Sequence, residues 1–228
     1  MIPFLSGDDP FPPVDLALQV PNGLLAAGAD LSTERILGAY AEGIFPWFGD
    51  DDPILWWSPD PRMVLYASDV HVSRSLGKVL RSDRLRVTAD TAFADVVRGC
   101  AEVRRDHEGT WITAEMEEAY NELARLGYGH SVEVWKGEQL VGGLYGVAIG
   151  RMFFGESMFS RVSDASKVAL VRLARQLEAW AMPMIDCQMS TPHLASLGAR
   201  DIPRADFVGE IRTLVQQPAI PGPWRFDL

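Results

Sequence analysis

Apolar and polar positions follow two different periods from about Met63 onward, and each period predicts a type of element. Apolar residues three and four positions apart predict amphipathic helices, whereas strict alternation predicts strands. Helices are predicted at 72–82, 92–103 (capped by Asp90), 114–126 (capped by Thr113), from Ser163 or Asp164 to Trp180, and after Pro203. Strands are predicted at 84–89, 130–136, 139–149, 152–159 and 184–189.

This order of elements predicts a fold class. It runs helix–strand–helix–helix, then an antiparallel three-strand meander, then a helix and a strand that re-enters the sheet. Such an order is typical of an α+β or mixed α/β domain. Acyl-CoA N-acetyltransferases have the same order, and the pattern alone reaches that class and no further.

Residues 1–62 differ in pattern, because they are rich in Pro, Gly and Trp. One helix is predicted here, since Ser32 is a suitable N-cap and Gly43 can supply a left-handed stop. The rest is predicted to be packed irregular chain, held by aromatic side chains such as Trp47 and Trp56. We therefore expect a small N-terminal domain over 1–62 and a second domain over 63–228.

Composition narrows the class of protein. Of 228 residues, 47% are apolar and 23% are charged, as in ordinary globular proteins. The two cysteines have neither a disulfide framework nor zinc-ligand spacing, and the four histidines have no metal-ligand spacing either. The N-terminus lacks the features of a signal peptide, and no apolar run reaches the roughly 18 residues of a membrane span. We expect a cytoplasmic protein with no metal and no membrane partner.

The charge is unevenly distributed. A net charge of −10 opposes nucleic-acid binding unless there is a local basic patch. Arg74, Lys78 and Arg81 supply one, because positions i, i+4 and i+7 lie within a narrow arc of a helix, opposite Val72, Leu76 and Val79. Two interpretations stay open: an ordinary solvated helix face, or a stripe that contacts a phosphate backbone without reading bases.

Polar side chains interrupt two strands that are otherwise apolar. A period of two places Asp186 and Gln188 on one face of their strand, and Glu156 and Met158 on one face of theirs. Carboxylates and amides are costly in a central sheet unless they are paired or functional. They form either a buried polar network that fixes strand register or an acid/base site at a split in the sheet.

Two aromatic side chains are candidates for stacking. Trp111 lies just before a helix start, where it could either fill the core or offer a platform for a base or terminal adenosine. Tyr120 lies on the same side of that helix as Met116 and Leu123, which by itself indicates core.

Many segments are together similar to one family. They follow one another in order from about Phe11 to the last helix: PNGLLAAGADLS (21–32), GIFPWF (43–48), DPILWWSPDPR (52–62), HVSRSL (71–76), GTWIT (109–113), GHSVEVW (129–135), LVGGLYGVAIG (140–150), FFGESMFSR (153–161), DASK (164–167), IDCQ (185–188) and HLASLGA (193–199). On these segments the chain resembles the leucyl/phenylalanyl-tRNA–protein transferases.

The resemblance implies a fold and an activity. The fold is a small N-terminal α+β domain followed by an N-acetyltransferase-like domain. The activity moves Leu, less readily Phe or Met, from aminoacyl-tRNA to proteins with N-terminal Arg or Lys and marks them for degradation. The donors would be Leu-tRNA and Phe-tRNA, and no cofactor is implied because the donor ester is already activated.

The resemblance also implies roles for individual residues. Asp186 and Gln188 would form the catalytic pair, with Glu156 beside them, and both carboxylates would favour a cationic acceptor side chain. The aminoacyl-adenosine site would be shaped by three aromatic residues: Trp47, Trp111 and Tyr120. The apolar pocket for the amino-acid side chain would consist of five residues: Leu144, Met158, Leu170, Leu173 and Ile185. Arg74, Lys78 and Arg81 would face the tRNA.

Two alternatives from other classes stay open. A CoA-dependent N-acetyltransferase would need a Gly-rich loop for the pyrophosphate, but residues 160–167 contain no glycine. A non-catalytic adaptor for basic N-termini would share the acidic pocket and would not need the stripe on 74–81.

Overall fold

Two β-sheets organise the chain in the computed structural model, which describes residues 2–105 and 112–226. The small sheet has four strands in the order β1-β2-β4-β3. Its members are β1 (Phe4–Leu5), β2 (Leu24–Gly28), β3 (Phe45–Pro46) and β4 (Leu55–Trp57). The expectation of irregular chain here was wrong, because strands of two to five residues are too short to show an alternating pattern.

Helix α1 (Thr33–Ala41) lies between β2 and β3, as the sequence predicts. The Ser32 side chain accepts a hydrogen bond from the Arg35 N–H, and Gly43 adopts a φ of 79° just after the helix end. Only glycine takes that conformation at little cost. Both predicted signals therefore set the limits of α1.

The large sheet has seven strands in the order β11-β5-β10-β9-β8-β7-β6. Its members are β5 (Arg62–Tyr66), β6 (Arg86–Ala89), β7 (Gly129–Lys136), β8 (Gln139–Ile149), β9 (Met152–Ser160), β10 (Met184–Gln188) and β11 (Arg200–Ile202). Strands β9 and β10 are parallel and all other neighbours are antiparallel. The predicted mixed α/β class, the meander and the re-entering strand are confirmed, whereas β5 and β11 were not predicted.

Helices cover both faces of the large sheet. They are α2 (Arg74–Leu80), α3 (Phe93–Arg105), α4 (Ala114–Arg125), α5 (Ala165–Ala179), the short α6 (Pro192–Ala195) and α7 (Arg204–Leu214). One apolar core lies beneath α5 and α2, and the other joins α3, α4 and the small sheet. Within the described ranges, every helix is too short or too polar to span a lipid bilayer.

The predicted helix caps have mixed outcomes. Thr113 accepts from the Met116 N–H at 3.2 Å, as predicted. Asp90 does not cap α3, because its carboxylate pairs with His130 and accepts from the backbone N–H groups of Ser131 and Trp224. Asp164 stands at the start of α5 in a left-handed conformation (φ 67°) without a side-chain cap bond.

The core is continuous across the two sheets. Trp56 of the small sheet and Phe154 of the large sheet belong to the same buried cluster, which also contains Tyr40 of α1. The chain nevertheless passes from the small sheet to the large sheet between β4, which ends at Trp57, and β5, which begins at Arg62. The expected domain boundary at residue 62 stays a prediction.

Candidate active site

The large sheet splits between its two parallel strands. Strands β9 and β10 pair only at Met152–Met184, Phe153–Ile185 and Phe154–Asp186. Beyond these pairs β9 remains bonded to β8 and β10 to β5, and both ladders shift register near the split. Such irregularities re-aim side chains and are common next to active sites. The split therefore opens the sheet at the positions where the sequence places its polar residues.

A cavity of about 380 Å³ lies at this split. Its apolar wall includes all five residues that the resemblance assigns to the amino-acid pocket: Leu144, Met158, Leu170, Leu173 and Ile185. Trp47 also lines the cavity, as do the polar residues Glu156, Asp186 and Gln188. An apolar chamber with a few convergent polar groups is the usual form of a small-ligand site.

Glu156 lies at the centre of a buried hydrogen-bond cluster. Tyr40 donates to its Oε1 at 2.6 Å, and Tyr120 donates to its Oε2 at 2.8 Å. The amide Nε2 of Gln188 also donates to Oε1, at 3.1 Å. Burial raises the pKa of Glu156 to about 7, against the lowering effect of the two tyrosine hydroxyls. This carboxyl therefore changes its charge near neutral pH.

The proton count in this cluster gives an independent reason for the raised pKa. The hydroxyl oxygens of Tyr40 and Tyr120 are also 2.6 Å apart. The three contacts are Tyr40 to Tyr120, Tyr40 to Glu156 and Tyr120 to Glu156. If Glu156 is ionised, only the two hydroxyl protons are available for these three contacts, because each hydroxyl has one proton to donate. A proton on Glu156 completes the triangle, so the geometry favours the neutral acid.

Asp186 is held in a buried ion pair. Its two oxygens accept from Nε and Nη2 of Arg62 at 2.8 and 2.7 Å, and both side chains are 0% exposed. Its Oδ1 also accepts from the backbone N–H of Gln188 at 2.9 Å. The expectation that Asp186 attracts a cationic acceptor is wrong, because Arg62 already balances its charge inside the protein.

Gln188 stands at the end of β10 in a left-handed backbone conformation, with a φ of 63°. That conformation is uncommon outside glycine, asparagine and aspartate. The bond from its N–H to Asp186 holds it there, while its side-chain NH₂ faces Glu156. Since the nitrogen end is directed at a carboxyl, the oxygen end of the amide is left as an acceptor.

The face assignment within β9 was wrong. Met158 packs with the apolar cluster beneath α5, whereas Glu156 bonds to Tyr40 and Tyr120 on the opposite side. The register shift between β8 and β9 adds a residue to β9 at this point, so the period of two is interrupted. Both side chains still border the cavity, which lies at the split.

The predicted aromatic residues take different positions. Trp47 is partly exposed and borders the cavity. Tyr120 is fully buried and lies behind Glu156, where it touches the carboxyl group and Tyr40. Trp111 lies outside the described residues.

The basic stripe has the predicted orientation. Arg74, Lys78 and Arg81 are exposed, while Leu76 on the opposite side of α2 is buried and Val72 and Val79 pack partly against the core. Among the described residues, no acidic side chain forms an ion pair with any of the three cations. Their charge is therefore available to a partner in solution.

Two residues of the site were not found from the sequence. Tyr40 and Arg62 reach Glu156 and Asp186 across 116 and 124 positions of chain. A tyrosine on an amphipathic helix and an arginine before an apolar strand are ordinary local patterns, so neither gave a signal. In the parts of the chain that the structure describes, no group of His, Cys, Asp and Glu could hold a metal ion.

Comparison with known proteins places these features in a family. The profile described as leucyl/phenylalanyl-tRNA protein transferase matches residues 64–212, and that of its N-terminal domain matches 29–60. A leucyl/phenylalanyl-tRNA–protein transferase of Thiobacillus denitrificans is 62% identical over 95% of both chains. One of Nitrosospira multiformis is 59% identical over 100% of this chain and 98% of its own.

The chain is also distantly similar to solved structures of other proteins. A GCN5-related N-acetyltransferase from Kribbella flavida is 12% identical and aligns over 70% of this chain and 56% of its own, with a TM-score of 0.34. A likeness that distant says nothing further about the chemistry of this chain.

Proposed function

The chain belongs to the leucyl/phenylalanyl-tRNA–protein transferase family, and from that premise we propose its donor, its acceptor and the residues that act. As a member, it is an aminoacyltransferase that moves an amino acid from aminoacyl-tRNA to a protein. We propose that the donor is Leu-tRNA, less readily Phe-tRNA or Met-tRNA, and that the acceptor is the α-amine of a protein with N-terminal Arg or Lys. The product would be marked for N-end-rule degradation in the cytoplasm.

One observation carries this proposal: an apolar cavity meets the Glu156–Gln188 pair at the sheet split. The cavity accepts an uncharged side chain, and the polar edge accepts an amine. The two substrates of an aminoacyl transfer need these two environments next to each other. Holding both substrates in such a geometry can supply much of the rate enhancement.

The apolar wall explains the choice of amino acid. Leu144 and Met158 are cross-strand partners on β8 and β9, and Leu170 and Leu173 face them from α5. A methylene group in such a pocket changes discrimination by about 1–3 kcal/mol. Leu, Met and Phe are therefore ranked by size and not absolutely separated.

The polar edge explains how the amine reacts. An α-amine has a pKa of roughly 7.7–8.0, so a fraction is unprotonated at neutral pH. The Gln188 amide oxygen accepts a hydrogen bond from that amine. At the same time the nitrogen of the amine forms a bond to the ester carbonyl carbon. The carbon–oxygen ester bond then breaks, and the ribose hydroxyl of the tRNA leaves with the proton that the amine loses.

Glu156 has an electrostatic role in this scheme. Its pKa of about 7 leaves it partly ionised at neutral pH, beside the group that binds the amine. The ionised form attracts the ammonium or guanidinium of an N-terminal Lys or Arg. Trp47 borders the same cavity and would stack against the terminal adenosine. The resemblance also assigns Trp111 to the adenosine, and Tyr120 would act by holding Glu156.

The cations Arg74, Lys78 and Arg81 would hold the tRNA backbone. They are exposed on one side of α2, and the chain as a whole is strongly acidic. Such a stripe makes sequence-independent contacts with phosphates.

A CoA donor is disfavoured by the start of α5. The N–H of Ser166 donates to the Ser160 hydroxyl at 3.1 Å, and the N–H of Ala165 donates to the Val162 carbonyl at 3.3 Å, so two N–H groups of this helix start are already bonded within the protein. A CoA pyrophosphate would need such N–H groups free.

The test is a transfer assay with radiolabelled Leu-tRNA and a peptide that begins with Arg. We expect label in the peptide with the wild type and at least a ~100-fold loss of kcat with Gln188→Ala, while Leu-tRNA binding is retained. Gln217→Ala, at an exposed position remote from the cavity, is the matched control. Transfer by Gln188→Ala at the wild-type rate would remove Gln188 from the mechanism, and absence of transfer by the wild type would refute the proposed substrates.

A further inference from the structure

Arg62 is the most completely enclosed cation of the site. Its side chain is 0% exposed, and its guanidinium lies 4.7 Å from the ring centroids of both Phe45 and Phe207. Arginine tolerates such a position because its planar, weakly hydrated group stacks on aromatic faces. Its charge is met by the two oxygens of Asp186. A buried fork of this kind fixes the carboxylate in orientation as well as in charge.

Arg62 also closes a ring of contacts around the polar edge. Its Nη1 donates to the carbonyl oxygen of Gly43, at the end of α1, at 3.1 Å. The same helix carries Tyr40, which donates to Glu156, and Glu156 accepts from the Gln188 side chain. Gln188 in turn donates its backbone N–H to Asp186. The ring therefore joins α1, β5, β9 and β10. None of the described residues donates a hydrogen bond to the Gln188 amide oxygen, which is thus available as an acceptor.

We propose that Arg62 is a positioning residue for aminoacyl transfer. Its guanidinium orients Asp186, and the Oδ1 of Asp186 holds the Gln188 backbone in its left-handed conformation. The Gln188 amide oxygen then points at the incoming amine. This inference rests on the proposed function, because it concerns how the Gln188 site is held.

Arg62 also acts on the charge of Glu156, which a purely structural residue would not do. Arg62 lowers the pKa of Glu156, whereas burial, the largest influence, and Asp186 raise it. The charged and titratable groups around Glu156 come from four elements: Tyr40 of α1, Arg62 of β5, Tyr120 of α4 and Asp186 of β10. Removal of the Arg62 charge must therefore raise the pKa of Glu156 further. The transfer rate, which rises with pH as Glu156 ionises, should then rise at a higher pH.

The experiment is a double-mutant cycle on kcat. The variants are Arg62→Met, Asp186→Asn and the pair together, with Arg62→Lys as the conservative substitution. Arg151→Met is the matched control, because Arg151 is a partly buried arginine that bonds to the Trp180 carbonyl oxygen at the far end of β9. For each variant, kcat and the KM for Leu-tRNA are measured with the Arg-initiated peptide, and the fold is checked by thermal melting.

We expect each single variant to lose ~100-fold in kcat with less than about a twofold change in KM for Leu-tRNA, and the double variant to lose no more than the worse single variant. Arg62→Lys should retain about a tenth of wild-type kcat, because an ammonium group cannot bridge both carboxylate oxygens. Arg62→Met should also show the shift of its pH profile to higher pH. Arg151→Met should keep wild-type kcat.

Three results would overturn the proposal: losses that multiply in the double variant, an unshifted pH profile, or wild-type kcat in Arg62→Lys. If Arg62→Met does not fold, Arg62→Lys decides by its kcat. Failure of the proposed function is distinguishable, because then the wild type itself would not label the peptide.

Discussion

At the scale of the residue, Glu156 combines two opposed requirements. In the proposed function, its position beside Gln188 needs a negative charge to attract a basic acceptor, yet burial favours the neutral acid. A pKa of about 7 in the folded protein lies well above the ordinary glutamate value of 4.5. The folded chain therefore holds a proton that the unfolded chain releases between pH 4.5 and 7, and stability falls as pH rises through that window.

This predicts that Glu156→Gln stabilises the protein at pH 8 while it weakens acceptor binding. Glutamine keeps the shape and can donate to the tyrosine hydroxyls without carrying a charge. We expect the gain in the free energy of unfolding to reach up to about 3 kcal/mol at pH 8 and to vanish near pH 4.5. Urea unfolding at both pH values measures it, with Glu138→Gln in an exposed turn as the control. An equal effect of Glu156→Gln at both pH values would contradict the assigned pKa.

A second prediction concerns Met158 in the cavity wall. Met158→Ala enlarges the pocket without opening the core, since this side chain is only partly buried. We expect kcat/KM for Leu-tRNA to fall about tenfold and that for Phe-tRNA to fall less, because the added space suits the larger side chain. Competition between the two charged tRNAs measures the ratio. Met152→Ala, buried on the same strand but outside the cavity, should leave the ratio unchanged even if it lowers stability.

Some residues of the site could be predicted from the sequence alone, and others could not. The Asp186–Gln188 pair follows from the alternation within one strand, and the residues of the cavity wall follow from the resemblance to the family. Arg62 and Tyr40 do not, because their roles arise from contacts over more than a hundred positions. The pairing of Asp186 with Arg62 also changes its role from attracting a substrate cation to holding Gln188.

At the scale of the element, pattern length decided what could be predicted. The long helices α4 and α5 and the meander β7–β9 contain enough residues for a period to be read. Four of the missed strands, β1, β3, β4 and β11, have only two or three residues. The bulge in β9 breaks the alternation that would place Met158. Short strands and irregular registers are fixed by their neighbours in space.

Helix α2 gives a prediction at this scale. Replacement of Arg74, Lys78 and Arg81 by Gln should raise the KM for Leu-tRNA by ~10-fold or more at low salt and leave kcat nearly unchanged. For every phosphate that is no longer neutralised, the slope of log affinity against log salt should become shallower by about 1. Filter binding across a salt series measures this slope. Arg212→Gln, an exposed cation on α7, is the control, and an unchanged slope in the triple variant would remove α2 from the tRNA interface.

At the scale of the whole molecule, the two sheets share one apolar core. The small sheet contributes Trp56 to the same core as Phe154. Helix α1 supplies Tyr40 to the polar edge, and the turn after it supplies the Gly43 carbonyl. The sequence indicates a change of pattern near residue 62, but only the shared core shows how tightly the two parts are joined. We propose that 1–62 and 63–228 are structural units that depend on each other.

The corresponding prediction concerns the isolated fragment 63–228. Without residues 1–62, the part of the apolar core that α1 and the small sheet cover becomes exposed, and Glu156 loses Tyr40. We expect the fragment to show no cooperative thermal transition and no transfer activity, whereas the complete chain shows both. Circular dichroism melting and the peptide-labelling assay measure these properties. A fragment that melts as the whole chain does would mean that the two units fold independently.

The split between β9 and β10 has a consequence for the lifetime of the charged tRNA. An activated ester is consumed by water as well as by amines. In the proposed function, a water molecule that enters the chamber lacks the positive charge that Glu156 would hold in place. If the proposed function holds, the geometry that binds a basic N-terminus therefore favours transfer over hydrolysis, and we expect the donor ester to persist until an acceptor arrives.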